Sequence, residues 1–397
     1  MSRHGRVLVA MSGGVDSSVT AGLLHEAGYE VVGVTMKTWD YETSLGGSGV
    51  SQKQSGCCSL DDMNDARAVA VALGAAHTVV DIRDEFGGWV VDRFAEDYLA
   101  GRTPNPCVLC NTHIKWAALL KRADALGCEH IATGHYARVC QAAPPTGGAG
   151  RKPAGRWVVS RGADRSKDQS YVLWGVAQGH LARTLLPLGG YDKSEIRHLA
   201  TDMGFEHVAG KKDSYEICFV PDDDYRGFLR RRHPALADLA GGRFVHVGTG
   251  ETVGTHEGYP FYTIGQRRGL GITLGEPAYV VRIEPETNTV FVGPRSALAA
   301  RALTARGVVW GKWGGVEDEA AVWGQIRHRD PGAAAILRQT GPDALDAVFA
   351  EPRAAVAPGQ AAVFYDGDDV VAGGWIEAVP APPVHDGDGA FQALPVL

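Results

Sequence analysis

Long apolar runs are absent from this sequence. Among its 397 residues, no stretch approaches the roughly 20 consecutive apolar residues that a transmembrane helix needs. The first apolar run, Val7 to Met11, is too short for the hydrophobic region of a secretory signal and stops at Ser-Gly-Gly. These absences argue against a membrane-spanning protein and predict a cytoplasmic protein without a membrane partner.

Cysteine is scarce, and the odd count of seven argues against a disulfide framework in a chain without an export signal. A second Cys-x-x-Cys pair is also missing, so Cys107, Cys110 and His113 supply three of the four ligands that structural zinc needs. The preceding prolines do not fit a thioredoxin-like redox motif. Three interpretations of Cys107 therefore stay open: a zinc ligand, a functional thiol and an inert thiol. Buried, inert thiols are expected at Cys57, Cys128 and Cys140.

The two common phosphate-loop signatures, G-x-x-x-x-G-K-[ST] and G-x-G-x-x-G, are absent as well. In their place Ser12–Ser18 reads SGGVDSS, between a strand-like run at Arg6–Met11 and a helical run from Asp16 to Ala27. Glycines and the N–H groups of a helix N-terminus form an anion cradle. The pattern predicts a phosphate-binding loop at the end of the first strand, and the alternative is a tight turn capped by Asp16 or Ser17.

Strand-like and helical segments alternate through the first half of the chain, which predicts an α/β fold with a doubly wound parallel sheet. Glycine-rich short strands then follow one helix, and beyond Val280 only strand and turn signals remain. We predict a PP-loop catalytic domain at 1–213, a small central α+β domain at 214–280 and a C-terminal β-barrel at 281–380. Residues 381–397 are predicted to be a flexible tail.

The Cys-x-x-Cys pair lies in TPNPCVLCN, where two prolines predict a rigid loop leading into a helix. Asn111 is predicted as the helix N-cap, which places Cys110 immediately before the N-terminus of the helix. The positive end of a helix stabilises a thiolate, so Cys110 is predicted to be nucleophilic. Cys218, between Ile217 and Phe219 at the proposed domain junction, has the composition of a buried core cysteine.

Seven segments along nearly the whole chain resemble the tRNA-specific 2-thiouridylase family (the MnmA enzymes) of the PP-loop ATP pyrophosphatase superfamily. They are AMSGGVDSSV, GRTPNPCVLCN, IATGHYAR, KDQSYVL, KKDSYEICF, TIGQRRGLGI and APGQAAVFY. The resemblance implies a sulfurtransferase that uses ATP, with Mg²⁺ assisting, to replace the C2 oxygen of the tRNA wobble uridine, position 34, with sulfur. It also implies a sulfur donor such as a cysteine desulfurase or a persulfide relay protein. We expect a monomer.

The resemblance further implies roles for individual residues. Cys218 would carry a persulfide and Cys110 would be the nucleophile, closing a transient Cys110–Cys218 disulfide. ATP would be bound by Ala10, Met11, Ser12, Gly13, Gly14, Val15, Asp16, Ser17, Met36 and Gly134. The target base would lie beside Asn105, Pro106 and Cys107. Contacts with tRNA would come from His135, Lys167, Asp168, Gln169, Arg327, His328 and Gln360.

Two positions depart from the family pattern. Cys107 stands where the family often has Asp in P-N-P-D-x-x-C, so a general acid/base there could not simply be replaced by a thiol. The SYEIC segment ending at Cys218 replaces a common S-T-G-I-C. Three alternatives stay open: another PP-loop tRNA-modifying ligase, thiolation through an iron–sulfur cluster on Cys107, Cys110 and Cys218, and a zinc-stabilised RNA-binding module.

The net charge of −7, from 39 Lys and Arg against 46 Asp and Glu, argues weakly against a nucleic-acid partner. Its distribution changes that inference, because residues 1–205 carry 21 basic and 21 acidic side chains, whereas residues 281–397 carry 9 and 15. Phosphate contacts need local positive charge. We therefore expect tRNA to lie across the first two domains, with Arg151, Lys152 and Arg156 among its contacts.

Overall fold

The computed structural model describes residues 3–39, 59–142, 155–211, 217–220 and 224–379. The predicted tail at 381–397, the predicted boundary between residues 213 and 214, and the side chains of Cys57, Arg151 and Lys152 lie outside the described residues.

The N-terminal domain is built on a five-stranded sheet in which all neighbouring strands run parallel. Its strands are β1 (Arg6–Ala10), β2 (Glu30–Lys37), β3 (Ala76–Asp81), β4 (His130–Ala132) and β7 (Thr184–Leu185), in the order β3-β2-β1-β4-β7. The central strand β1 is apolar because it is covered on both faces, and Val7, Leu8 and Val9 have no exposed surface. The predicted doubly wound parallel sheet is confirmed.

Helices cover this sheet and extend beyond it. They are α1 (Val15–Glu26), α2 (Leu60–Ala72), α3 (Arg83–Phe86, Gly87–Asp92 and Arg93–Leu99), α4 (Pro106–Leu109, Cys110–Lys115 and Trp116–Ala125), α5 (Gln178–Leu181), α6 (Lys193–Asp202), α7 (Glu206–Ala209) and α8 (Tyr225–Arg232). A capping box opens α6, since Asp192 accepts from the Glu195 N–H and the Glu195 side chain accepts from the Asp192 N–H.

Two of these helices contain a π-helical segment, and the two segments pack against each other. They are Gly87–Asp92 in α3 and Cys110–Lys115 in α4. A π-helical turn inserts extra backbone into an α-helix and shifts the face that each later side chain presents. Because such segments are frequent at functional sites, this pair marks the neighbourhood of Cys110 for closer attention.

The central domain holds a four-stranded sheet in the order β10-β11-β8-β9. Its strands are β8 (Gly242–His246), β9 (Thr252–His256), β10 (Tyr279–Glu284) and β11 (Thr289–Gly293). One hydrophobic cluster continues from this sheet into the N-terminal domain, with Phe94 of α3, Phe228 of α8 and Phe244 of β8 all buried in it. The apolar core of the central domain is therefore continuous with the core around the π-containing helix α3.

The C-terminal domain contains a β-barrel, as predicted, and the structure shows that six strands close it. Its strands are β12 (Ala299–Trp310), β13 (Glu319–Gln325), β14 (Ala333–Gly341), β15 (Ala344–Ala354), β16 (Ala361–Asp366) and β17 (Asp369–Ala378). Pairing of β12 with both β15 and β17 closes the ring. Leu303, Leu345 and Phe364 have no exposed surface and lie in the barrel core.

A hairpin of the N-terminal domain, β5 (Ala137–Gln141) and β6 (Trp157–Arg161), reaches the barrel and extends its sheet. Ser160 of β6 pairs with Asp369 of β17, and its hydroxyl donates to the Asp369 carboxylate at 2.6 Å. Arg156 at the base of β6 donates to the main-chain oxygens of Trp310 and Gly311 at 2.6 and 2.8 Å. Arg156, expected to contact tRNA, is thus used to hold the barrel.

Candidate active site

The glycine-rich loop Ser12–Ser18 follows β1 at the centre of the parallel sheet. Ala10 is aligned with Val34 of β2, and Val9 is aligned with Ala132 of β4. The carboxyl ends of these three strands therefore meet at one edge, which brings the loop, Met36 and Gly134 to the same edge. The strand order changes direction at β1, and doubly wound sheets bind ligands at such a point.

The loop has the backbone geometry of an anion cradle. Gly13 has φ +72°, and a Cβ at this position would lie 2.1 Å from the main-chain oxygen of Asp62. Gly14 is the N-cap of α1 and has no side chain to occupy the helix N-terminus. A Cβ on Gly14 would meet only the Ser12 hydroxyl oxygen, at 3.7 Å, so the first turn of α1 is open to an approaching phosphate.

Hydroxyl groups fix the shape of this loop from inside. The Ser17 hydroxyl donates to the Gly14 oxygen at 3.1 Å and accepts from the Ser12 N–H at 3.1 Å. The Ser18 hydroxyl donates to the same Gly14 oxygen at 2.9 Å. Ser17 and Ser18 are buried, whereas Ser12 is exposed, so the two buried serines hold the loop and Ser12 faces the ligand side.

Asp16, in the first turn of α1, is held by two distant residues. Lys193 of α6 donates to both carboxylate oxygens at 2.7 and 2.8 Å, and the Tyr136 hydroxyl donates to one of them at 2.7 Å. Gln169 in turn exchanges hydrogen bonds with the main chain of Tyr136, at 2.9 Å in each direction. Gly134 packs on the same turn, because a Cβ there would lie 2.9 Å from the Asp16 carbonyl carbon.

Lys211 connects the loop to α2. Its ammonium group donates to the Gly13 oxygen at 2.9 Å and to the Asp62 carboxylate at 2.8 Å, and it also pairs with Asp65. Burial lowers the pKa of Lys211, but the two carboxylates outweigh that effect and leave it raised. Lys211 therefore stays protonated beside the loop, where it ties the Gly13 main-chain oxygen to the two carboxylates of α2.

The helix that carries the cysteine pair begins earlier than predicted. Asn105, and not Asn111, is the N-cap, since its side chain accepts from the Val108 N–H at 3.4 Å and Pro106 occupies the first helical position. The expectation that Cys110 lies immediately before a helix N-terminus is wrong. Cys107 stands in the first turn, and Cys110 opens the π-helical segment within a continuous helix.

The two cysteines of the pair differ in exposure. Cys107 is exposed, whereas Cys110 is 7% exposed and belongs to the hydrophobic cluster shared with the central domain. Cys218, distant in sequence, packs against that same cluster. Its neighbour Phe219 is fully buried among Phe86 and Phe94 of α3, at ring-centroid distances of 5.8 and 5.2 Å. No disulfide joins Cys110 and Cys218 in this structure.

Buried thiols are expected at Cys128 and Cys140. Cys128 is buried, whereas Cys140 is exposed on β5. Among the residues that the structure describes, no three His, Cys, Asp or Glu side chains come together as a metal-binding group. The structure therefore shows no assembled ligand set for the zinc alternative (Cys107, Cys110 and His113) or for the iron–sulfur alternative (Cys107, Cys110 and Cys218).

None of the helices in the described part of the chain could span a membrane.

Three family models match the chain in succession. They are the tRNA methyl transferase HUP domain at residues 5–222, the tRNA methyl transferase PRC-barrel domain at 227–294 and the aminomethyltransferase beta-barrel domain at 301–376. The chain is 56% identical to a tRNA-specific 2-thiouridylase MnmA of Salinibacter ruber, over 99% of this chain and 100% of that protein. It belongs to the tRNA-specific 2-thiouridylase family.

Further relatives agree with this placement. MnmA proteins of Amoebophilus asiaticus and Cytophaga hutchinsonii are 55% and 53% identical, over 95% of this chain and 96% and 99% of theirs. Among solved structures, a 4-thiouridine synthetase–RNA complex with bound ATP is 17% identical, covering 58% of this chain and 51% of that chain with a TM-score of 0.34. A similarity at that level carries no conclusion about function.

In this 2-thiouridylase family member, the residues expected to contact tRNA come from the N-terminal domain and from the barrel, and His328 of the barrel lies near the Lys167–Gln169 segment, with its ring centroid 5.9 Å from that of Tyr171. Arg327 and His328 are exposed on the barrel, and Lys167 is half-buried. The Asp168 carboxylate is engaged within the protein, where it accepts hydrogen bonds from the Gly162 N–H and from the N–H and hydroxyl of Ser170. Their contacts with tRNA stay predictions.

Two further residues expected to contact tRNA, His135 and Gln360, make polar contacts within the protein. His135 is buried, lies 2.7 Å from the Thr133 hydroxyl and has its pKa lowered by burial to about 3. Gln360 donates to the main-chain oxygens of Thr103 and Pro104 at 3.3 and 2.9 Å. Gln360 thereby joins the barrel to the segment that leads into the cysteine helix.

Sequence reasoning missed three side chains of the nucleotide site, namely Tyr136, Lys193 and Lys211. Tyr136 and Lys211 lie inside motifs that supported the family resemblance, IATGHYAR and KKDSYEICF, but neither motif specifies what the side chain contacts. Lys193 follows the N-cap Asp192, and only its position on α6 could have indicated that it faces the loop. These contacts join distant segments, so local patterns do not reveal them.

Proposed function

We propose that this chain catalyses the ATP-dependent 2-thiolation of the uridine at wobble position 34 of tRNA, as a tRNA-uridine 2-sulfurtransferase. In this proposal Cys218 carries the sulfur as a persulfide and Cys110 acts as the nucleophile that releases it. Its curated relatives are named tRNA-specific 2-thiouridylases, and they match the chain from end to end.

One structural observation supports the cysteine assignment most strongly. Cys110 and Cys218 come from distant parts of the chain, yet both pack in the hydrophobic cluster at the base of α3. The cluster excludes water, which would otherwise hydrolyse an activated uridine. Cys107 is exposed, and we assign it to the border of the target base with Asn105 and Pro106.

The nucleotide loop supplies the first chemical step. The open first turn of α1 binds the phosphates of ATP, with Lys211 holding the shape of the loop through the Gly13 oxygen, so that the uridine C2 oxygen attacks the α-phosphorus and pyrophosphate leaves. The C2 oxygen is then bonded to AMP, a good leaving group. Asp16, held by Lys193 and Tyr136, fixes the orientation of that turn.

Sulfur transfer completes the reaction. The terminal sulfur of the Cys218 persulfide attacks C2 and displaces AMP, which leaves a C2–S–S–Cys218 adduct. The Cys110 thiolate attacks the Cys218 sulfur, so the uridine keeps the transferred sulfur and a Cys110–Cys218 disulfide forms. A thiol reductant must return two electrons to this disulfide, and a persulfide donor such as a cysteine desulfurase or a relay protein must reload Cys218.

We propose that Mg²⁺ would bind at the loop through a carboxylate together with ATP, in competition with Lys193 for Asp16 or with Lys211 for Asp62. The carboxylates of Asp16 and Asp62 lie at the loop and are 33% and 22% exposed, and Mg²⁺ prefers one or two carboxylates together with phosphate oxygens. An ion held there with ATP would neutralise charge on the phosphates. We further propose that the enzyme works as a monomer.

The test is mass spectrometry of tRNA nucleosides after incubation with the enzyme, ATP, Mg²⁺ and a cysteine desulfurase with its substrate. The wild-type chain is expected to produce 2-thiouridine only with ATP, and only on tRNA that has uridine at position 34. Cys110→Ser and Cys218→Ser are each expected to reduce the product to background, because each removes a sulfur that the transfer needs.

Cys140→Ser is the matched control, since Cys140 is an exposed thiol on the β5–β6 hairpin and has no role in the transfer. Its product yield should equal that of the wild-type chain. Full activity in both Cys110→Ser and Cys218→Ser would overturn the persulfide mechanism. Absence of 2-thiouridine with the wild-type chain and every component present would overturn the function itself.

A further inference from the structure

An exposed tryptophan lies beside the cysteine helix. Trp89 belongs to the π-helical segment Gly87–Asp92 of α3 and is 55% exposed, whereas Val90 and Val91, the next two residues, are 1% and 0% exposed. A large exposed aromatic side chain is informative when it adjoins a functional site. Neither the nucleotide loop nor the sulfur transfer uses Trp89.

The Trp89 indole is stacked on the imidazole of His113. Their ring centroids are 4.9 Å apart and their planes differ by 19°, so the two rings form a nearly flat, layered pair. His113 is itself exposed. One aromatic pair therefore presents flat surface to solvent from two different helices.

This pair is next to the residues assigned to the target base. His113 lies in the π-helical segment Cys110–Lys115, and the Trp89 segment packs against that segment and against Pro106–Leu109. Cys107, in the first turn of α4, is exposed as well. A nucleobase entering beside Cys107 would thus bring its neighbours in the strand close to the Trp89–His113 pair.

The charges around the pair suit an RNA strand. Arg93, exposed on α3, is close enough to His113 to act on it electrostatically, and Lys115 acts in the same way on Cys107. Burial, and then Arg93, lower the pKa of His113, so its ring is neutral near pH 7 and stacks without adding charge. Cationic side chains beside exposed aromatic rings are the common arrangement for binding single-stranded nucleic acid.

The geometry points to the Trp89–His113 pair as a stacking platform for a nucleobase that adjoins the target uridine in the anticodon loop. This inference rests on the proposed function, because it takes the RNA substrate from it. An enzyme that works on one base must draw that base out of the loop stack, and a protein aromatic surface then replaces the lost stacking for the neighbouring base.

A purely structural role for Trp89 makes a different prediction. If the indole only covers the seam between α3 and α4, its removal lowers thermal stability and leaves the kinetics of the folded enzyme unchanged. If it stacks on RNA, its removal raises KM for the tRNA anticodon stem-loop and leaves kcat nearly unchanged. The split between KM and kcat therefore separates the two roles.

The experiment measures 2-thiouridine formation and fluorescence-anisotropy binding with an anticodon stem-loop RNA at saturating ATP. Trp89→Ala should raise KM and Kd about 5- to 150-fold, the range expected for loss of one base–aromatic stack. Trp89→Phe should recover most of the affinity. Trp89→Leu keeps an apolar side chain over the seam between α3 and α4 but lacks the flat aromatic face. It should therefore fold even if Trp89→Ala does not, and it should show the same loss of RNA binding.

Trp323→Ala is the matched control, because Trp323 is 45% exposed on the barrel strand β13 and its Nε1 donates to the Pro331 oxygen. Its KM should equal that of the wild-type enzyme. Folded Trp89→Leu with KM and Kd within twofold of wild type would overturn the platform while leaving the thiolation function intact. Loss of thiolation in the wild-type chain would instead refute the function on which the platform depends.

Discussion

The loop Ser12–Ser18 and the cysteine helix α4 lie in the same domain but hold their functional groups in different ways. The loop is fixed by many short polar contacts, from Ser17 and Ser18 inside it and from Lys193 and Lys211 outside it. The cysteine region is held by apolar packing, with Cys110 and Cys218 in one aromatic-rich cluster.

This difference follows from the chemistry that each region is proposed to perform. An anion is bound best by donors that are already oriented, because reorientation would cost free energy at each binding event. A persulfide needs a dry environment and two sulfur atoms that can approach each other and separate again, which apolar packing allows. The loop should therefore tolerate little change in backbone shape, whereas the cysteine region should be sensitive to access and packing.

The largest effect is expected from Gly13→Ala. The new Cβ would lie 2.1 Å from the main-chain oxygen of Asp62, in a residue with φ +72°. Backbone strain and overpacking together should lower the free energy of unfolding by about 3 kcal/mol and abolish ATP binding. Chemical denaturation and ATP titration measure the two effects.

Gly14→Ala is the control for that substitution, since its Cβ would meet only the Ser12 hydroxyl oxygen at 3.7 Å. Its loss of stability should stay at about 1 kcal/mol or less, the difference between Gly and Ala at a helix N-cap. Equal losses in the two variants would show that the loop is not held by its backbone shape.

His135 lies between the two regions and should make stability depend on pH. Its ring packs near Trp116 of the cysteine helix, and burial lowers its pKa from 6.5 to about 3. The unfolded chain binds a proton there below pH 6.5 and the folded chain does not, so stability present above pH 6.5 is lost as the pH falls toward 3. At pH 5.0 this single group should cost about 2 kcal/mol.

The measurement is denaturant unfolding at pH 7.5 and pH 5.0 for the wild-type chain and for His135→Gln. The variant removes the titrating group, so its stability should fall less between the two pH values. A parallel decline in both proteins would show that His135 is protonated in the folded state or that other groups set the acid sensitivity.

The two regions also differ in how far the sequence alone predicts them. The SGGVDSS loop is correctly placed, because a buried strand, glycines and a helix start are all local signals, and β1 ends at Ala10, one residue before the predicted end. The contacts of Asp16 with Lys193 and Tyr136 depend on where distant segments pack, so no local pattern contains them.

The cysteine helix is predicted less well, for a physical reason. Asn105 and Asn111 are both good N-cap residues, and only Pro106 at the first helical position favours the earlier start. The π-helical segment from Cys110 to Lys115 then shifts the helical phase, so a regular periodicity does not show which cysteine is buried. The barrel is predicted as a class, whereas the pairing of Ser160 with Asp369 across domains is not.

Alkylation should separate the two cysteines of α4 directly. Cys107 is exposed and Cys110 is 7% exposed, so iodoacetamide should modify Cys107 at least about tenfold faster, since Cys110 must wait for local opening. Both residues fall between Arg102 and Lys115, so fragment ions from one tryptic peptide give both rates. Comparable rates would show that the cluster around Cys110 opens readily and that packing does not protect it.

The smallest effect is expected from Gln360→Ala, which tests how the barrel supports the cysteine region. Its amide donates to the main-chain oxygens of Pro104 and Thr103, at 2.9 and 3.3 Å, at the entrance to α4. Loss of these bonds should cost about 1 kcal/mol in the free energy of unfolding. Gln141→Ala is the control, because Gln141 is exposed and its amide makes one longer bond, at 3.4 Å. If the two variants are equally stable, the barrel does not hold the Thr103–Pro104 segment through Gln360, and the cysteine helix depends on its own apolar packing alone.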